Sequence, residues 1–212
     1  MRGLGRLFTY SLLLTLCLPA LPPPSLSAAS REDTVFVRLP TTRDDQVLPP
    51  GIAPLQTLEY GSFAWLELRS DDLSQLETAG VAFEVDPSPF TLHLGGEAFD
   101  PLQEEAALPP GWEAREGTGP DLQLIQFKGP IRSEWLDDLR QQGWDIVQYI
   151  HPYTYVVWGK GGRSPQSAGS EFVRWTEPFA PAYRVLPQWR ELPDTRVQVD
   201  VLVYRGADVA TV

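Results

Sequence analysis

Residues 70–94, SDDLSQLETAGVAFEVDPSPFTLHL, align without a gap to residues 133–157, SEWLDDLRQQGWDIVQYIHPYTYVV, at a constant offset of 63. Ser70 matches Ser133, Leu73 matches Leu136, Leu76 matches Leu139 and Gly80 matches Gly143. Pro89, Phe90 and Thr91 match Pro152, Tyr153 and Thr154. Apolar helix positions, a helix-ending glycine and a Pro-aromatic-Thr turn recur in one order, which is the signature of a duplicated supersecondary unit. None of the repeated positions reads as a nucleophile, a base or a metal ligand. What the chain repeats is a scaffold.

Each copy reads in the same way. Phe63 to Leu68 forms a strand, Ser70 is placed to cap a helix, and Asp71 and Asp72 put negative charge on its first turn. Leu73, Leu76 and Ala79 make an apolar stripe that Gly80 ends in a left-handed conformation. Val81, Phe83 and Val85 alternate in a second strand; Phe90, Leu92 and Leu94 alternate in a third. The second copy gives strand Leu122 to Lys128, helix Ser133 to Gln142, and strands Trp144 to Ile150 and Thr154 to Lys160. Thr34 to Arg38 adds a short opening strand, and Phe172 to Thr176 a closing one. The expected fold is α+β: tandem ferredoxin-like, propeptide-like β-α-β-β modules with antiparallel sheets. Residues 30–100 are the first module, 101–120 a linker rich in Pro and Gly, and 121–190 the second module. Residues 191–212, with Val197, Val199, Val201 and Val203 alternating, read as the truncated start of a third, so the chain is expected to be a fragment.

Residues 1–29 read as a signal peptide. Arg2 and Arg6 supply the positive start, Leu7 to Leu16 an apolar run too short to span a bilayer, and Ser27 and Ala29 the small residues before the cut. Export is therefore expected, to a secreted or extracellular location. Cys17 leaves with this segment, so the mature chain has no disulfide to rely on. Two arginines and no acids leave with it, so 17 basic residues become 15 against 28 acidic ones, a balance of −13. That charge repels nucleic acid and anionic lipid, and neither is an expected partner.

Chemistry is sparse. His93 falls mid-strand and His151 in a turn, and neither has a Cys or second His at zinc-ligand spacing. No G-x-S-x-G elbow occurs, and the adjacent carboxylates Asp44–Asp45, Asp71–Asp72, Glu104–Glu105 and Asp137–Asp138 do not face each other as catalytic pairs would. The loop carrying Lys160 and Arg163 lacks the phosphate-cradling spacing. No catalytic, cofactor or metal residue is assigned. Trp65, Trp135, Trp144, Trp158 and Trp175 fall in elements and read as packing; Trp112 and Trp189 fall in linkers and are the candidates for exposed rings. In the second module Tyr153, Tyr155 and Val157 lie on one side of a strand, Val156 and Trp158 on the other. One helix layer covers one side only, so Val156 and Trp158 are the candidate docking face.

The stretches LQLIQFKGPIRSEWLDDLRQQGWDIVQYIHPYTYVVWG and FVRWTEPFAPAYRV, with GSFAWLEL and the signal-bearing start, resemble the amino-terminal, non-catalytic regions of bacterial secreted subtilisin-like serine proteases. The resemblance covers nearly all of the mature chain. It implies a propeptide-like module that packs on a following protease domain in the same polypeptide, assists its folding and restrains it during export. The family's signatures around the catalytic Asp, His and Ser are missing, so no triad residue carries over. The alternative expectation is a free-standing extracellular module that binds protein or carbohydrate.

Overall fold

The computed structural model describes residues 34–41, 48–114, 121–159, 171–191 and the single positions 196, 198 and 200. The signal segment, Asp44–Asp45, the loop with Lys160 and Arg163, and the alternating valines of the expected third module lie outside the described residues. The described residues belong to one compact unit.

Two four-stranded antiparallel sheets organise that unit, each with one helix, giving an α+β architecture that is mostly β. The first contains β1 (Thr34–Pro40), β2 (Gln56–Tyr60), β3 (Phe63–Arg69) and β4 (Glu84–Asp86), in the order β2-β3-β1-β4. Helix α1 (Asp72–Thr78) covers one face, where Val37, Leu39, Leu66, Leu68 and Leu76 form a core. The second contains β7 (Asp121–Phe127), β8 (Asp145–Ile150), β9 (Thr154–Gly159) and β10 (Val173–Pro178), in the order β10-β7-β9-β8. Helix α2 (Ser133–Gln141) covers it through Trp135 and Leu139, which pack on Ile125, Phe127, Val157 and Val173. Between the sheets in sequence lies a hairpin of β5 (Leu92–Leu94) and β6 (Glu97–Phe99). A short helix α3 (Pro181–Arg184) follows β10.

The duplication is visible where the helices stop. Gly80 and Gly143 have φ of +70° and +88°, the left-handed region glycine enters without strain. The helix starts differ from expectation. Asp71, not Ser70, is the first helix's N-cap, and neither longer helix has a side-chain cap bond. Asp72 is instead buried 3.8 Å from Arg69.

The larger departure concerns the third strand of the first copy. In the second sheet β9 follows β8 and lies between β7 and β8. The corresponding place in the first sheet, between β3 and β4, is filled by β1. The first sheet therefore runs β1-β2-β3-α1-β4 where the second runs β7-α2-β8-β9-β10, a cyclic shift of one connectivity. The two strands share a pattern: Thr34-Val-Phe-Val37 matches Thr154-Tyr-Val-Val157, and both Val37 and Val157 are fully buried beneath a helix. With β1 seated there, the 92–94 strand pairs with β6 instead.

Candidate docking surfaces

Strand alternation in β7 and β9 sends Leu122, Leu124 and Gln126 to the side away from α2, opposite Trp158, Val156 and Thr154 respectively. That is the face the sequence leaves for a partner. Val156 on it is only 2% exposed. Hairpin β5–β6 supplies Leu92, Leu94 and Phe99 over Leu124, Val156 and Trp175, and Ala180 and Tyr183 close the cluster. Trp158 is half-buried beside Leu122. Cover for Val156 thus comes from the chain's own first copy.

A polar latch fixes the hairpin at both ends. Arg174 of β10 donates from Nη1 to Gln126 Oε1 at 2.6 Å and pairs through Nη2 with Asp100, just after β6, at 2.8 Å. Its guanidinium lies 4.0 Å from the centroid of Phe90, just before β5. Gln126, fully buried, donates from Nε2 to the Phe90 carbonyl at 3.0 Å. The sequence reading did not find this group. Its signal was present in Arg174, a charge set between the buried Val173 and Trp175.

Alongside this cover, Tyr183 donates its hydroxyl to Glu177 at 3.4 Å. Burial raises the Glu177 carboxyl above its ordinary 4.5; the Tyr183 bond offsets part of that, and nearby Glu105 adds to it.

The other face of the first sheet meets the second copy. Phe36 stacks on Trp65 and meets Phe90 edge-on; Tyr153 meets Trp65 and Phe90 edge-on. Tyr153, at φ +48°, closes the β8–β9 turn, and burial with Asp86 nearby pushes its phenol up to about 12. Gly129 permits the approach, since a Cβ there would lie 2.9 Å from Leu58 and Trp65 carbons. Gln56 Nε2 donates to the Lys128 carbonyl at 3.1 Å, Arg132 Nη2 to the Glu59 carbonyl at 2.7 Å, and the Tyr60 hydroxyl to the Pro130 carbonyl.

Among the described residues, the sheet edges carry the exposed apolar side chains and a groove. Strand β8 ends the second sheet with Val147 37% and Tyr149 44% exposed, and a bulge between Ile146 and Gln148 breaks its register with β9. Strand β4 ends the first sheet and exposes Val85. A groove of about 660 Å³ runs between β2 and α2, lined by Leu58, Lys128, Arg132, Glu134, Trp135 and Asp138 among others. Trp189 is 58% exposed, whereas Trp112 is half-buried. His93 and His151 are exposed, and no cluster of three potential metal ligands occurs among the described residues. No helix among them is long and apolar enough to cross a membrane.

Residues 93–180 match the model of a domain of unknown function, DUF8729. The matched segment begins inside β5 and ends after β10, so it takes in the second sheet together with most of its hairpin cover. No match is found among curated proteins or among solved structures.

Proposed function

We propose that this chain is a non-catalytic docking region of an exported protein, built from two ferredoxin-like, propeptide-like modules, the first in cyclically shifted form. The partner is a subtilisin-like protease domain in the same polypeptide, which the chain assists or restrains. The module reading draws support from the strand order β10-β7-β9-β8 around one crossover helix, the split β-α-β arrangement.

The observation that carries the docking reading is the open edge of β8. Among the described residues no strand pairs with its outer side, and Val147 and Tyr149 offer apolar side chains beside it. Trp158 lies at the rim of the covered face, on the other side of the sheet from Tyr149. Titrating the mature chain against purified subtilisin, read by complex formation and by inhibition, tests the reading. Saturable binding weakened tenfold or more by Val147→Lys or Tyr149→Lys is expected. Absent binding, or binding indifferent to both substitutions, overturns it.

Trp189 favours one other reading, a free-standing carbohydrate-binding module, because an indole this exposed offers a stacking surface. Retention on an oligosaccharide matrix that is lost in Trp189→Ala, without protease binding, would select it.

A further inference from the structure

We infer that hairpin β5–β6 is an exchangeable cover: β5 can seat between β3 and β4 in place of β1, and its departure bares Leu124, Val156 and Trp175. The inference begins with the two equivalent slots. Between β7 and β8 lies β9; between β3 and β4 lies β1. The repeat offset of 63 makes residues 91–96 the sequence counterpart of β9, and β5 lies within them. The segment that the duplication made for the first slot is therefore still in the chain, joined to β4 by the same Pro-aromatic-Thr turn that joins β9 to β8.

Geometry allows the move on paper in one register. Gln148 faces Val156 and Tyr149 faces Tyr155 in the second sheet. Those pairs follow a bulge that β4 lacks, so the offset is taken from the Ile146–Val157 pair before it, which sets Phe83 against Leu94, Glu84 against His93 and Val85 against Leu92. Leu92 and Leu94 would then point at α1, as Tyr155 and Val157 point at α2, and His93 would point toward the first sheet's other face. At present His93 faces Ala98, and Val85 faces Val37.

Packing says which state dominates. Strand β1 gives the slot Val35, Val37 and Leu39, whereas β5 would give only Leu92 and Leu94 while uncovering a cluster. Exchange therefore follows displacement of β1 and does not compete with it. The Arg174 latch, holding the chain on either side of the hairpin, sets how readily the cover lifts. The face bared carries Val156 and Trp158, so exchange would give the docking region proposed above a covered and an open state. The test needs no partner, and its outcome is independent of that reading.

Paired cysteines read the register. In the full mature chain, Glu84→Cys with His93→Cys places the thiols opposite each other only after exchange, while Val85→Cys with His93→Cys places them on opposite faces. Oxidation should be slow in both pairs while β1 is seated. Adding Val37→Asp, which ejects β1 from a fully buried position, should speed the 84–93 disulfide at least tenfold over the 85–93 disulfide. Binding of an apolar dye should rise in parallel. Simple unfolding would raise both rates alike, and that result overturns the inference. So does a rate unchanged by Val37→Asp. Asp100→Asn, which loosens the latch and leaves β1 in place, should raise the rate of the 84–93 pair at least threefold when combined with Val37→Asp; no increase would remove the latch from the mechanism.

Discussion

The indole of Trp144 lies so close over Gly159 that a Cβ on the glycine would sit 2.0 Å from Cζ3 and 2.2 Å from Cε3. Trp144 lies just past Gly143, which follows α2, and Gly159 ends β9, so the contact ties the helix exit to the end of that strand. Gly159 is not at a positive φ, which makes the need for glycine one of space and not of backbone conformation. Gly159→Ala should lower unfolding free energy by about 1–3 kcal/mol through overpacking, measured by urea titration. A second-site Trp144→Leu change should restore part of the loss. An alanine that costs nothing would mean that the ring does not pack there.

The latch pair and a surface pair make opposite predictions. Arg174 and Asp100 are 10% and 14% exposed, whereas Arg140 and Asp137, at 2.7 Å, are 55% and 60% exposed. Removing the carboxylate leaves the largely buried Arg174 without its 2.8 Å ion pair, so Asp100→Ala should destabilise by about 3 kcal/mol. Asp137→Ala should change stability by about 0.5 kcal/mol or less. Similar losses from the two substitutions, in matched thermal or urea melts, would show that the latch is no more than a surface contact.

Glu177 supplies a pH dependence with a definite sign. Burial raises its carboxyl in the folded state above the ordinary 4.5, so folding holds that proton to higher pH than the unfolded chain does. The folded form then binds more protons than the unfolded form in this window, and stability falls as pH rises from about 4.5 through the folded value. Glu177→Gln retains an acceptor for Tyr183 and removes the titration. The variant should be less stable relative to the parent below that window than above it. Parallel pH–stability curves for the two proteins would refute the assignment.

Local pattern made much of the fold legible. Strands at 63–69, 121–127 and 154–159, the two longer helices and their stop glycines all follow from alternation, apolar stripes and turn chemistry. Three elements escaped. Strand β2 sits just after the Pro-rich connection, where Leu58 is its one strongly apolar core-directed residue, and β6 has only Ala98 and Phe99 to mark it. Helix α3 is a single turn inside a proline-rich stretch. Partner choice escaped for a different reason. The repeat shows which segments are alike, but β1 and the 92–94 strand carry compatible patterns, and only tertiary packing decides which fills the slot. The same limit applies to the docking face. Alternation identified Val156 and Trp158 as lying together, while the identity of their cover depended on where β5 went.

Val156 and Trp158 share one face but should respond differently. Val156 is enclosed by the hairpin, and its loss leaves a cavity against Leu92 and Leu94 whether or not a partner is present. Val156→Ala should cost about 2 kcal/mol in the mature chain alone. Leu92→Ala should cost about 2–4 kcal/mol, and the double variant less than the sum, because each change relaxes the other's cavity. Trp158 is half-buried at the rim, so Trp158→Ala should cost less stability than Leu92→Ala while weakening subtilisin binding. Additive losses from Val156 and Leu92 would deny that the hairpin is the cover. A Trp158 variant that loses stability as heavily as Leu92→Ala, yet binds as the parent does, would place the ring in the core and take it off the docking surface.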